Sequence, residues 1–185
     1  MFPFITIIFG SLVRLFPHIP NFAPITATAL FGGSHLKKRY AIIIPLVMIA
    51  LSDYLLLYIN PYRYPFFDFS KIHSVSSMFH STTLFVWGSF LISGIIGLTL
   101  RKNKNKSSVV CASLICSLQF FLITNFGVWA TGMYSRGIDG LLQSYIMGLP
   151  FLKWTILGDL FYTGAFFGVY EFGKSFSNKF AAEYK

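Results

Sequence analysis

Apolar runs separated by charged or aromatic loops recur along the whole chain, and they constrain its fold more than any motif does. Six are read: Phe2 to Phe16, Phe22 to Ser34, Tyr40 to Ile59, Phe79 to Leu100, Ser108 to Thr131 and Phe151 to Gly173. Only 11% of the 185 residues are charged, where a soluble domain carries about 25%, and the mean hydropathy is +0.64. Runs of this kind suit the hydrocarbon of a bilayer. The sequence therefore predicts an all-α integral membrane protein. Six transmembrane helices form one bundle over residues 1–173, and a basic cytoplasmic tail follows over 174–185. A short interfacial helix is expected over Gly140 to Gly148. The first run lacks a basic leader and a small-residue cleavage site, so it is expected to stay as a helix. The net charge of +9 does not point to nucleic acid, because the cations are confined to short loops and the tail.

The stretch Arg14 to Gly33, RLFPHIPNFAPITATALFGG, turns the chain back on itself. Pro17 and Pro20 cannot donate backbone hydrogen bonds and push the residues before them out of helix. The turn is expected near His18 to Asn21. The first two runs fall short of the ~20 residues that a spanning helix needs. Interrupted helices of that sort occur where backbone is buried in protein or lines a cavity. Arg14 ends the first run, where a charge needs a water-filled or protein-lined pocket, unless it snorkels to the headgroups.

Loop charges set the orientation. Lys37, Lys38 and Arg39 follow the second run, Arg101, Lys102, Lys104 and Lys106 follow the fourth, and Lys174, Lys179 and Lys185 follow the sixth. The other connections are longer and poorer in cations, with Arg63 and Lys71 in one and Arg136 and Lys153 around another. Basic loops face the cytoplasm, which places both termini inside in the cell membrane. On that topology Asp53 lies roughly 20 Å from the inner end of its helix and Asp159 roughly 13 Å below the outer surface. Arg14, Asn21 and Asn125 also fall in the outer half, with Trp129 one turn beyond Asn125. Intramembrane ionisable groups face a cavity or one another. The sequence thus predicts an outward-facing pocket lined by Arg14, Asn21, Asp53, Asn125, Trp129, Tyr134 and Asp159. The long loops Asn60 to Met78 and Gly132 to Pro150 would lie over it. Each residue also has a plainer role: Asp53 paired with Arg14, Asp159 hydrogen-bonded to threonines, Asn125 as interhelical glue, and Trp129 and Tyr134 in an interfacial belt.

Catalytic signatures are absent. There is no Gly-rich phosphate loop, no HExxH, no GxSxG and no close acidic pair, so no enzyme and no cofactor are expected. Any active transport would draw on an outside motor or an ion gradient. Cys111 and Cys116 are too badly placed on a helix to pair with each other and read as packing residues. His18, His35, His73 and His80 have no metal-ligand spacing and read as solvated. Ala23 and Ala27, Thr28 and Gly32, Ala29 and Gly33, and Gly164 and Gly168 stand four apart, a spacing that lets helices approach closely. These rows serve internal packing or, at Ala23, Ala27, Gly164 and Gly168, docking of a partner membrane subunit.

The pattern R-x-x-P-x-x-P-N-F-x-P (Arg14 to Pro24) leading to Phe31–Gly33, with P-x7-D (Pro45 to Asp53), N-F-G-V-W (Asn125 to Trp129) and G-L-x-x-x-Y-x-x-x-x-P-F (Gly140 to Phe151), resembles an uncharacterised family of bacterial multi-pass membrane proteins. That family is in turn similar to the substrate-binding S components of energy-coupling factor transporters. The resemblance implies a six-helix fold, a micronutrient-like small molecule in an outward pocket, and a transmembrane coupling subunit with ATPases as partner. S components commonly carry an A-x-x-x-A face on the first helix, whereas Ala23 and Ala27 stand at the start of the second run.

Two functions of different class follow. In the first, a small molecule enters from outside, meets Arg14 and Asn125 and stacks on Trp129, with Arg14 favouring an anionic group. In the second, the same polar residues only knit the helices of a structural or assembly membrane protein.

Overall fold

The computed structural model describes residues 2–70 and 72–183, with side chains over 3–70 and 72–177. Lys71, Lys185 and the side chain of Lys179, used above to orient the chain, lie outside the described residues. The protein is all-α. Helices α1 (Phe2–Val13), α2 (Ile25–His35), α3 (Lys38–Ala41), α4 (Ile43–Leu55), α5 (Thr83–Thr99), α6 (Lys106–Ala130) and α7 (Ile138–Glu183) follow one another, with a 3-10 turn at Val75–Met78. Among the described residues the only β feature is an isolated bridge between Ile59 and Phe67.

The short α2 is the hub. It packs against each of the other six helices, and every residue from Ile25 to Ser34 is buried. Its sequence explains this: alanines, threonines and a glycine pair leave little side chain, so neighbouring backbones come close. A Cβ on Gly33 would run into the backbone of Gly94 and Gly97 of α5. At the Pro17–Pro20 turn, Asn21 takes φ +64°. Asparagine tolerates that left-handed conformation better than most residues.

One expectation changes in the fold. The interfacial helix and the sixth run are one helix, α7, of 46 residues with Pro150 inside it. Proline removes one backbone donor from a helix interior and crowds the carbonyl one turn back, yet α7 continues on both sides of Pro150. The same helix runs on through the basic tail as far as Glu183, a segment for which the sequence alone names no secondary structure. Among the described residues α6 is the one helix long and apolar enough to cross a membrane; α1 and α5 are apolar but shorter.

Polarity is distributed inside out. The surface carries Ile5, Phe9, Ile43, Val47, Leu84, Ile95, Leu118, Phe161 and Phe172, all large and exposed. The interior holds Ser52, Ser89, Ser93, Ser113, Ser117, Thr155, Asp159 and Thr163. Helix α6 shows it most clearly, with Ala112, Ser113, Cys116 and Ser117 turned inward and Val110, Leu114, Ile115 and Leu122 turned out. Most of the buried hydroxyls donate to the carbonyl one turn back, as Ser89 does to Phe85 and Ser93 to Ser89, which satisfies them without a partner helix.

Candidate functional site

Two adjoining cavities lie beneath the Pro17–Pro20 turn. The larger, about 150 Å³, is bordered by Arg14, Asn21, Thr26, Phe90, Phe120 and Asp159, with Tyr62 of the long loop at its rim. The smaller, about 110 Å³, is bordered by Asn21, Phe121, Thr124, Asn125, Gly148 and Phe151. Asn21, Phe120 and Thr155 border both.

Arg14 does not stand alone. Its Nη1 pairs with Asp53 Oδ1 and also donates to Ser52 Oγ at 3.0 Å. The second oxygen of Asp53 accepts from Trp87 Nε1 at 2.8 Å. The two charged side chains are only 18% and 17% exposed. A chain of this kind links the end of α1 to α4 and α5, with Arg14 Nη1 and Trp87 Nε1 each donating to Asp53. Pairing with Arg14 is one of the two roles that the sequence allows Asp53; against the other, Asp53 borders neither cavity, because its carboxylate is turned to Arg14 and Trp87. The guanidinium charge is therefore matched inside the protein, which weakens the expectation that Arg14 draws an anion.

Asp159 occupies the floor of the larger cavity. It is 2% exposed and accepts from Ser117 Oγ at 2.7 Å, with the Thr26 hydroxyl also reaching the carboxyl. Thr163, one of the threonines expected to hold Asp159, instead faces Ser113 at 3.3 Å, and Thr155 donates to Phe151 O. Asn125 borders the smaller cavity, donates to Phe121 O at 2.8 Å and leaves no room for a side chain at Gly148.

The other expected residues are elsewhere. Trp129 borders neither cavity: its Nε1 donates to Gly137 O at 3.1 Å, clasping the turn between α6 and α7, and its ring lies against Phe126. Tyr134 lies in that turn and also borders neither cavity. Ala27 is fully buried in the core, and Ala23 borders the larger cavity, so neither offers a face to a partner. Gly164 and Gly168 do open outward: a Cβ at either position would meet nothing within 4 Å. Of the histidines expected to be solvated, His80 is exposed, and His18, His35 and His73 are half-buried with local contacts. His18 meets the Tyr62 hydroxyl at 3.0 Å, His35 stacks on Phe31 at 4.2 Å, His73 N donates to the Tyr58 hydroxyl at 3.1 Å, and His80 pairs with Thr83.

Sequence reasoning missed Trp87, Tyr62, Phe90, Phe120 and Ser117. Trp87 carries a usable signal, since a buried indole N–H needs an acceptor and Asp53 is the nearest carboxylate in a preceding run. The Tyr62–His18 bond ties the long loop to the proline turn above the cavity. Burial pushes the Tyr62 hydroxyl above its usual range, and nearby Arg14 acts against that.

Two larger clefts lack this convergence. One, about 420 Å³, is folded out of the long loop's own residues, Leu56 to Asp68. The other, about 390 Å³, is an apolar groove on the outer surface between α1 and α7.

The model of a family of unknown function, DUF6580, matches residues 1–181. The chain belongs to this family. No curated protein and no solved structure matches it. Membership covers all of the elements that build the cavities and assigns a role to none of them.

Proposed function

We propose that this DUF6580 member is a multi-pass membrane protein that binds a small molecule in an outward-facing pocket, as the binding or transport subunit of an importer. The observation that carries this reading is the pair of cavities bordered by Arg14, Asn21, Asn125 and Asp159 in a helical bundle whose exterior is apolar. A soluble domain of this size would not expose so continuous an apolar surface around a core of serines and threonines. In a bilayer the same arrangement is the expected one, with small and hydroxyl residues between helices and large apolar ones toward lipid. Six passes with both termini inside remain the arrangement favoured by the loop cations. Helices α1 and α2 would form short, interrupted passes shielded by the rest of the bundle. Labelling of single cysteines in a Cys111→Ser background tests the topology. Ser70→Cys is expected to react from outside and Asn103→Cys only after permeabilisation; the reverse would overturn the orientation.

Phe90 and Phe120 take the stacking role that Trp129 cannot reach. The resemblance to S components would supply the energy from a coupling subunit, and the open Gly164–Gly168 face of α7 suits a helix packing there better than Ala23 and Ala27 do. The test is mass spectrometry of small molecules retained by the protein in mild detergent. Thr155→Leu, which fills both cavities, serves as control. A compound enriched with the wild type and lost in the control supports the reading. A folded protein that retains nothing, while changes around Arg14 only unfold it, favours the structural alternative.

A further inference from the structure

This inference rests on the pocket reading and names what the pocket takes. Two charged groups border the larger cavity, Arg14 and Asp159, and Arg14 has a partner of its own outside the lining. Arg14 and Asp53 neutralise each other. Asp159 has no cation within ion-pair distance among the described residues, although it is almost wholly buried. Ser117 and Thr26 give it hydrogen bonds, which replace only part of the solvation a carboxylate has in water. A carboxylate buried without a counter-charge is costly, so a cation in the adjoining space would stabilise the ionised form, and an anion would not. The walls of that space are apolar and aromatic. Phe90 and Phe120 stack at 5.3 Å between ring centroids, and Val86 and Ile25 stand beside them. Aromatic faces attract organic cations as well as apolar groups. A cavity of about 150 Å³ is the size that accommodates a single benzene ring.

We propose that the cavity binds a small organic ammonium ion, its nitrogen on Asp159 and an apolar or aromatic body of single-ring size against Phe90 and Phe120. Benzylamine, benzyl alcohol and benzoate share one body and differ in charge, so they separate this assignment from simple hydrophobic filling. Binding is read by thermal shift and by calorimetry on the purified protein in mild detergent. Benzylamine is expected to stabilise the wild type in a concentration-dependent manner, and the alcohol and the acid to bind at least tenfold more weakly. Asp159→Asn, of the same shape, should bind benzylamine and benzyl alcohol alike. Thr155→Leu should lose benzylamine and thereby exclude an effect on the micelle. Benzyl alcohol binding as well as benzylamine to the wild type would overturn the proposal. So would unchanged benzylamine binding to Asp159→Asn. The wild-type comparison decides even where Asp159→Asn does not accumulate. Benzoate binding, or a retained natural acid, would overturn the ammonium assignment and leave the pocket reading standing. If no probe binds and nothing co-purifies, both fall.

Discussion

The two ends of the bundle are built on opposite principles. At the end that carries the basic loops, α2 meets α5 backbone to backbone. Gly33 lies against Gly94 and Gly97, and Arg101 closes the contact by donating Nε to Gly33 O at 2.9 Å and Nη2 to Leu36 O. His35 fills the remaining gap among Phe31, Phe167 and Tyr170. At the other end the helices diverge around the two cavities, and contact passes through long polar side chains, Arg14 to Asp53 to Trp87. Glycine contacts give rigidity because backbones have no rotamers to change. Side-chain bridges hold helices apart and leave room between them. One end is therefore a scaffold, and the other holds the space that binding needs.

The closed end should break hardest. Gly33→Leu places a side chain inside the α5 backbone, which cannot move aside as a flexible side chain would. Overpacking a well-packed core costs about 1–3 kcal/mol and more where backbone must shift, so little folded protein is expected. The yield of monodisperse protein in detergent checks it. A Gly33→Leu variant that melts within a few degrees of wild type would show that the α2–α5 contact is not tight and would remove the contrast between the ends.

Next is the bridge at the open end. Asp53→Ala leaves the Arg14 guanidinium without its counter-charge and Trp87 without its acceptor. Breaking a buried pair in this way costs about 3–5 kcal/mol, and the partial exposure of this one places the expected loss toward the lower figure. The double variant Arg14→Gln, Asp53→Asn removes both charges and keeps amide groups of similar shape. It is expected to recover a good part of the stability in thermal melts. If the double variant is as unstable as the sum of the single ones, the two side chains do not act as a pair.

The contrast between the ends also separates what the sequence could disclose from what it could not. The all-α class and the position of the turn at Pro17–Pro20 were legible, as was the placing of Arg14, Asn21 and Asp159 beside one cavity and Asn125 beside the next, whereas Asp53, Trp129 and Tyr134 border neither. Proline chemistry and the rarity of charges in apolar runs do not depend on register. The pairing of helix faces was not legible. Whether position 87 or 129 faces Asp53 depends on how α4, α5 and α6 rotate against one another, and six runs of similar hydropathy carry little information about that. The extent of α7 escaped for a local reason: Pro150 reads as a boundary, yet one proline in a helix of 46 residues interrupts a single donor.

The two tryptophans give the smallest but sharpest test of this division. Trp87 donates to a carboxylate within the bundle, and Trp129 to a main-chain carbonyl at the turn after α6. A hydrogen bond to a charged group contributes about 1.5–3 kcal/mol, and an ordinary one about 0.5–1.5. Phenylalanine removes the N–H and keeps an aromatic ring at each place. Trp87→Phe is therefore expected to lower the melting temperature more than Trp129→Phe. In an Asp53→Asn background the cost of Trp87→Phe should shrink toward that of Trp129→Phe, because the acceptor has lost its charge while the carbonyl at Gly137 has not changed. Equal costs in both backgrounds would mean that Trp87 contributes by packing alone, and the open end would then be held by the Arg14–Asp53 pair without its third member.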